Sequence, residues 1–338
     1  MVVLVTGGAG YIGTHTVLSL LENNYEVVIL DNLSNSTLEA IKRVEILAQK
    51  KIKFYQGDIC DNKILESIFD AHNIDAVIHF AALKSVSESN CKPLKYYLNN
   101  VNGTLNLINC MQRFNVCKFI FSSSATVYGE HNKSPNTEND TIGKTTNPYG
   151  TSKFMMEIIL EDIVNSNTNF SVISLRYFNP TGAHPSGMLG EDPNGTPNNL
   201  IPYVARVAQQ KLPFLYVYGN DYPTKDGTGV RDYIHVTDLA DGHIKALNYI
   251  FTNDIKYEVF NLGTGKGYSV LEVINTFESI SQCKIPYVIS ERRQGDIAES
   301  WASSILAREK LQWQPTKDLK EMLEDFWLWQ IKNPNGYR

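Results

Sequence analysis

Val2-Val3-Leu4-Val5-Thr6-Gly7-Gly8-Ala9-Gly10-Tyr11-Ile12-Gly13 opens the sequence. Four apolar residues run into spaced glycines, and these run into an amphipathic stretch over 11–23. Glycine is required where backbone turns sharply or meets a phosphate at close range, because a Cβ would block the approach. The helix that follows directs its free N–H groups and the positive end of its dipole at the same anion. Strand, glycine turn and helix in this order form the context in which such a triplet reads as a pyrophosphate cradle. The next apolar run, 26–30, ends in Asp31. That carboxylate stands roughly 20 residues beyond the last glycine, where it can accept the hydroxyls of an adenosine ribose. The same charge would repel a 2′-phosphate, so the expected cofactor is NAD.

Outward from this turn the first half alternates strand and helix. Lys53-Phe54-Tyr55 is followed by a helix near 62–71, and the apolar run 76–82 by a long helix over about 93–114. Lys118-Phe119-Ile120-Phe121 ends in Ser122-Ser123-Ser124, and a helix from about Tyr149 leads into a strand over 171–176. Apolar strands alternating with helices predict an α/β fold, a doubly wound parallel (Rossmann) sheet covered on both faces. Ligands of such sheets sit beyond the carboxyl ends of the strands, where the reading places Asp58, Ala81, Ala82, Ser122, Ser124 and Tyr177. From Asn179 the texture changes, with Pro, Gly and Asn crowded over 179–199. The expected division is an NAD-binding domain over 1–178 and a smaller mixed α/β substrate domain over 179–338, with the chain crossing back to the first.

A chain of 338 residues with 43% hydrophobic content suits one large or two smaller globular domains. Its formal net charge of −5 argues against a general nucleic-acid surface. The five cysteines (Cys60, Cys91, Cys110, Cys117 and Cys283) show no C-x-x-C pair and no zinc-like spacing, which predicts reduced thiols in the cytoplasm and no metal. A core strand at the start leaves no room for a signal peptide, and no apolar run has the length of a membrane span. His79 reads as a packed core histidine, and the four tryptophans as core or interface anchors.

Tyr149 and Lys153 stand four apart in Pro148-Tyr149-Gly150-Thr151-Ser152-Lys153, on one face of a helix and one turn from each other. Ser124 sits at a strand end that faces the cleft. A free tyrosine ionises near pH 10. A neighbouring ammonium and a positive nicotinamide both favour its phenolate, making Tyr149 a general base near neutral pH. Lys153 is placed to bind the nicotinamide ribose, and Ser124 to hydrogen-bond a substrate hydroxyl.

The glycine spacing, Ser124 and the Tyr149/Lys153 pair together resemble the extended short-chain dehydrogenase/reductases. Longer segments resemble their UDP-galactose 4-epimerase family. These are Phe80-Ala81-Ala82-Leu83-Lys84-Ser85-Val86, the stretches 97–104 and 176–185, Pro197-Asn198-Asn199-Leu200-Ile201-Pro202-Tyr203 and Gly227-Thr228-Gly229-Val230-Arg231-Asp232-Tyr233-Ile234-His235. The resemblance covers essentially the whole chain. Sugar-nucleotide 4,6-dehydratases of the same superfamily carry adjacent Asp and Glu near the strand-end serine. Ala125 and Thr126 stand here instead, which disfavours dehydration.

What the resemblance implies is a reversible C4 epimerisation. Tyr149 takes the 4-hydroxyl proton, hydride passes from C4 to the nicotinamide, the 4-keto sugar turns about its diphosphate link, and the hydride returns to the other face. NAD then stays bound between turnovers, and family members are usually homodimers. Implied cofactor contacts are Gly7, Gly10, Tyr11, Ile12, Gly13, Asp31, Asn32, Asn35, Asp58 and Ile59. Phe80, Ala81, Ala82, Lys84, Asn99, Ser122, Tyr149, Lys153, Tyr177 and Phe178 complete that set. Implied UDP-sugar contacts are Lys84, Ser124, Tyr149, Asn179, Asn199, Leu200, Tyr216, Tyr218, Arg231, Tyr233, Arg293, Asp296 and Ser300. Guanidinium forks at Arg231 and Arg293 suit diphosphate oxygens. Ser300 falls where epimerases restricted to UDP-glucose and UDP-galactose carry a tyrosine, so UDP-GlcNAc and UDP-GalNAc are expected substrates too. Two alternatives stay open: a UDP-uronate or UDP-pentose 4-epimerase, and a catalytically silent NAD-binding sensor.

Overall fold

The computed structural model describes residues 1–130, 132–166, 169–192, 195, 197, 199–293 and 295–338. Asn198, a member of one family-like segment, lies outside them. The chain runs β1 (Val2–Thr6), α1 (Tyr11–Glu22), β2 (Glu26–Asp31), α2 (Leu38–Ala48), β3 (Lys53–Gln56), α3 (Asn62–Ala71), β4 (Ala76–His79), α4 (Val86–Cys91) and α5 (Pro93–Tyr96). Next come α6 (Gly103–Arg113), β5 (Lys118–Ser122), α7 (Pro148–Asn165), β6 (Ser171–Tyr177), β7 (Asn179–Thr181), α8 (Leu200–Ala208), β8 (Leu215–Tyr218) and β9 (Val230–His235). The remainder is α9 (Val236–Thr252), β10 (Tyr257–Leu262), β11 (Gly267–Ser269), α10 (Val270–Ser281), β12 (Tyr287–Ser290), β13 (Glu299–Ser300), α11 (Ile305–Leu311) and α12 (Leu319–Lys332).

Seven parallel strands form the main sheet in the order β10-β6-β5-β4-β1-β2-β3. Alternate side chains of one strand point to opposite faces. Val3, Val5, Ile29, Ile78 and Ile173 accordingly pack with α1 and α9, while Leu4, Val28, Val77, Phe119 and Val172 pack with α3, α6 and α7. Both faces are therefore covered, as a parallel sheet requires. Strand order reverses about β1 and β4, and the crevice opens beyond their carboxyl ends. A four-stranded sheet of β7, β9, β11 and β13 and the pair β8/β12 form the smaller layer. Its core gathers Val204, Val217, Val273, Phe277, Leu323 and Phe326 from α8, β8, α10 and α12.

Three features depart from the sequence-level outline. The strand–helix alternation skips 32–52, where α2 starts on a Thr37 cap that accepts from the Glu39 N–H. This helix buries only Ala40, Ile41 and Val44, so its apolar stripe is thin. The helix expected over 93–114 is broken in its middle by a π-helical turn over Tyr97–Asn102. That turn points Asn100 inward. Its side chain accepts from the Leu83 N–H at 2.8 Å and donates to the Leu83 carbonyl and the Ser152 hydroxyl, each at 3.0 Å. π-turns of this kind collect at functional sites. The third feature is the chain's return to the main sheet after the smaller layer begins: α9 packs on α1, and β10 extends the sheet beside β6.

Phe260, fully buried at the centre of β10, ties that late strand to the first core. Phe260→Ala is expected to cost about 3–5 kcal/mol, read from the midpoint of urea unfolding. A loss below about 1 kcal/mol would show that β10 is peripheral to the sheet.

Candidate active site

The phosphate turn connects β1 to α1 through conformations that only glycine accepts. Gly7 has φ +71°, and a Cβ there would lie 2.6 Å from the Ala81 nitrogen. A Cβ on Gly13 would sit 2.3 Å from the Gly7 carbonyl oxygen. Gly10 caps α1 without any side-chain hydrogen bond, which leaves the first-turn N–H groups open to an anion. At the end of β2 the Asp31 carboxylate accepts from the Ala9 N–H at 3.0 Å, the Leu33 N–H at 2.9 Å and the Ser36 hydroxyl at 2.8 Å. These bonds aim it across the turn with lone pairs to spare. The donor set and the two cradles that a Cβ would fill suit a dinucleotide.

One cleft, with a cavity of about 930 Å³, runs from this turn to the smaller layer. It brings together Gly7, Gly10, Tyr11, Ile12, Gly13, Asp31, Asn32, Asn35, Ile59, Phe80, Ala81, Ala82, Lys84, Asn99, Ser122, Tyr177 and Phe178. Ser124, Tyr149 and Lys153 line its middle. Asn179, Asn199, Leu200, Tyr216, Tyr218, Arg231, Tyr233, Arg293, Asp296 and Ser300 line its far side. Asp58 is the one predicted residue outside the lining; it stands behind Asn32, whose amide donates to it at 2.8 Å.

Helix α7 begins on Asn147, whose side chain accepts from the Gly150 N–H at 2.9 Å, with Pro148 at the first helical position. This start sets the direction in which Tyr149 and Lys153 leave the helix. Lys153 is 3% exposed, donates to the Ser122 carbonyl at 2.6 Å and lies 4.9 Å from the Phe121 ring centre. Burial lowers its ammonium to about 7, with the Glu157 charge opposing. Burial likewise pushes the Tyr149 phenol up, while a hydrogen bond with Ser124 and the charge of Lys84 pull it back. In the protein alone desolvation outweighs these favourable effects. The bond to the β5 carbonyl uses one of the three Lys153 donors and leaves two for a ribose. Ser124 accepts from the Thr126 N–H at 3.2 Å and the Thr126 hydroxyl at 3.0 Å, which fixes its oxygen at the strand end.

Behind these groups, Glu157 and Arg176 form a buried pair, with Nη2 2.6 Å from Oε2. The Ser123 hydroxyl donates to the same carboxylate. On the far side Arg293 pairs with Asp296 at 2.9 Å and lies 4.7 Å from the Tyr218 ring centre. Arg231 donates to the Val230 carbonyl at 2.9 Å, and Ser300 stands opposite it in the β13–β9 pairing. The Asn179 amide donates to the Asp232 carbonyl at 2.8 Å. His79 bridges Thr6 and Thr104 at 2.6 and 2.9 Å inside the core. Among the described residues no group of three metal-binding side chains converges.

A family model described as GDP-mannose 4,6 dehydratase matches residues 4–326. The chain is 55% identical over 338 residues to the UDP-glucose 4-epimerase of Pasteurella multocida (strain Pm70), covering 100% of both. The chain belongs to the UDP-glucose 4-epimerase family. The UDP-glucose 4-epimerase of Bifidobacterium longum, solved in complex with NAD+ and UDP, superposes with a TM-score of 0.96 at 51% identity, over 99% of this chain and 100% of that one. The UDP-Glc/GlcNAc 4-epimerase of Campylobacter jejuni gives 0.85 at 38% identity, over 98% and 99%. The strand-end turn of this chain holds Ala125 and Thr126, so it lacks the adjacent acid pair that a dehydratase was expected to carry.

Sequence reasoning passed over Glu191, Tyr337 and Arg338, which line the same cleft. Glu191 is buried and pairs with Lys84 at 3.1 Å. Its only signal was an acid within the crowded 179–199 stretch. The other two residues follow α12, far from every motif.

Proposed function

We propose that this chain interconverts UDP-glucose and UDP-galactose by inverting C4, with NAD held through the cycle. The observation that carries this reading is the meeting, in one cleft, of the phosphate turn with Asp31, the Ser124/Tyr149/Lys153 group and the arginine-bearing far wall. When bound, NAD supplies the reversible two-electron oxidation of the C4 carbinol. The N-terminus of α1 would hold its pyrophosphate, and Asp31 would take the adenosine ribose. Tyr149 removes the 4-hydroxyl proton and returns it after the sugar has turned. Ser124 holds that hydroxyl against the phenol. Lys153 orients the nicotinamide ribose. Arg231 and Arg293 grip the diphosphate as paired donors, so the sugar is the part left free to rotate.

Two rivals are disfavoured. A uronate enzyme needs a cation for the sugar carboxylate, and the charge of Lys84 is already matched by buried Glu191. A silent NAD-binding sensor has no use for a phenol, an ammonium and a hydroxyl gathered at one point of the cleft.

A second reading widens the substrate range. Ser300 lines the cleft beside Arg231, and its small side chain supports a pocket that takes a 2-acetamido group. We therefore add UDP-GlcNAc and UDP-GalNAc to the substrates. The chain also works as a homodimer in this reading. Leu94, Leu98 and Leu105 on the 93–113 run and Met155 and Ile158 on α7 form an exposed apolar stripe that a second copy would cover. The division after 178 is kept as the working boundary between cofactor and substrate domains. Five unpaired cysteines favour the cytoplasm. Among the described residues, no helix is long and apolar enough to cross a membrane.

Tyr149→Phe is expected to keep NAD and lose about 10³ in kcat; turnover near the wild-type rate would remove Tyr149 as base. Lys84→Met should move the acid limb of kcat to higher pH, because a lost cation raises the phenol and the base form then needs a higher pH. Steady-state assays on both sugar pairs test the wider range: Ser300→Tyr should abolish mainly the acetylated reaction, and a wild-type chain inert on UDP-GlcNAc ends that reading. Sedimentation equilibrium should give the mass of two chains, with Leu94→Asp reducing it to one. A monomeric wild type rules the dimer out.

A further inference from the structure

A cofactor is retained longer when a physical barrier opposes its leaving, and a connected set of contacts outside the reaction centre lies where such a barrier would stand. Beyond α12 the segment 333–338 folds back over the cleft. Arg43 on α2 holds its start, donating to the Asn333 side chain at 2.6 Å and to the Met188 carbonyl at 3.2 Å. The same guanidinium lies 5.0 Å from the Tyr337 ring centre and 5.7 Å from that of Trp329, and the two rings pack 4.7 Å apart. Asn333 donates to the Gly187 carbonyl at 2.9 Å.

Tyr337 then locks to the loop beneath it. Its hydroxyl donates to the Gly190 carbonyl and accepts from the Gly190 N–H, each at 3.1 Å. Its own N–H donates to Asp192 at 3.0 Å. Gly336 has φ +72°, and a Cβ on it would lie 2.1 Å from the Asp192 carboxylate. Next along the loop, Glu191 reaches the opposite wall through Lys84, while the Trp329 indole N–H donates to its carbonyl at 3.3 Å. The contacts therefore run without a gap from α2 to Lys84. Gly190, Glu191, Asp192, Tyr337 and Arg338 all face the cavity that holds the glycine turn and the 31–37 loop. Arg338 adds a guanidinium there, a charge suited to phosphate oxygens.

We propose that the segment 333–338, pinned by Arg43 and locked to the 187–192 loop, is a cofactor-binding strap that slows NAD release. The proposal rests on the NAD reading above. A lid of this kind suits a reaction with no net redox change, which gains nothing from exchanging its cofactor.

The test measures release, not turnover. Protein is loaded with labelled NAD, chased with unlabelled NAD and sampled by gel filtration, with thermal unfolding followed in parallel. Tyr337→Ala should release NAD at least tenfold faster than wild type. Tyr337→Phe keeps the ring between Arg43 and Trp329 but loses both bonds to Gly190, so it should fall between the two. Ile46→Ala, on α2 but outside the strap, should match wild type. If Tyr337→Ala lacks a cooperative unfolding transition, Tyr337→Phe carries the test with a threefold increase expected. Release within experimental error of wild type in the folded variants overturns the strap. A wild-type chain that never retains NAD overturns the cofactor reading itself, and the two failures are told apart by the wild-type measurement alone.

Discussion

Gly7 and Ala81 bring the ends of β1 and β4 closer together than any side chain would tolerate. The rest of the site depends on that approach. It places the N-terminus of α1 at the point where strand order reverses, so an anion site, the Asp31 carboxylate and the reacting groups share one line along the sheet edge. Each further strand contributes its carboxyl end in spatial order: Asp31 from β2, the 80–82 turn after β4, Ser122 and Ser124 after β5, and Tyr177 from β6. A parallel sheet forces all these ends to one side, and the reaction centre needs no loop of its own to collect them.

Charge within this line is arranged against desolvation. The chain is net acidic, yet its cleft must take a dinucleotide and a nucleoside diphosphate, so its cations are local: Lys84, Lys153, Arg231, Arg293 and Arg338. Burial of Lys153 weakens its ammonium, and burial of Tyr149 opposes its phenolate. Both shifts penalise the charged forms, and a positive nicotinamide ring beside them would favour the phenolate. The buried Glu157–Arg176 pair is weak evidence for stability, because removing two charges from water offsets much of their attraction. What it does is hold Ser123, and with it the strand end that carries Ser122 and Ser124.

Much of this was legible in the sequence because it is local. A glycine turn between strand and helix, a carboxylate at the next strand end and a Tyr/Lys pair one turn apart are patterns within a few residues of each other. The resemblance extended them to the far wall, at Arg231, Arg293 and Ser300. What escaped depends on tertiary placement. A π-turn inserts one residue into a helical repeat, and nothing in Tyr97-Leu98-Asn99-Asn100 marks it until Asn100 meets Leu83 and Ser152. Lys84 offered a charge to the reader but not its partner, since Glu191 lies more than a hundred residues on. Tyr337 and Arg338 belong to no pattern at all.

The two layers divide the work in a way the reaction demands. Cofactor and proton transfer sit on the seven-stranded sheet, whose strands are buried on both faces and give its end a fixed geometry. In the proposed reading the diphosphate is met by the smaller layer, where β8 and β12 keep Tyr216, Tyr218, Tyr287 and Val288 exposed and the Arg293 guanidinium is half open to solvent. An inversion at C4 needs the same hydrogen to leave one face and return to the other, so the sugar must turn while both its neighbours stay still. A rigid floor and an anchored diphosphate allow this only if the space between them is larger than one pose of the ring. In the proposed reading that space lies in the cleft between the two layers, and Ser300, small and on the wall that carries Arg231, would add to it the further volume that a bulkier sugar needs.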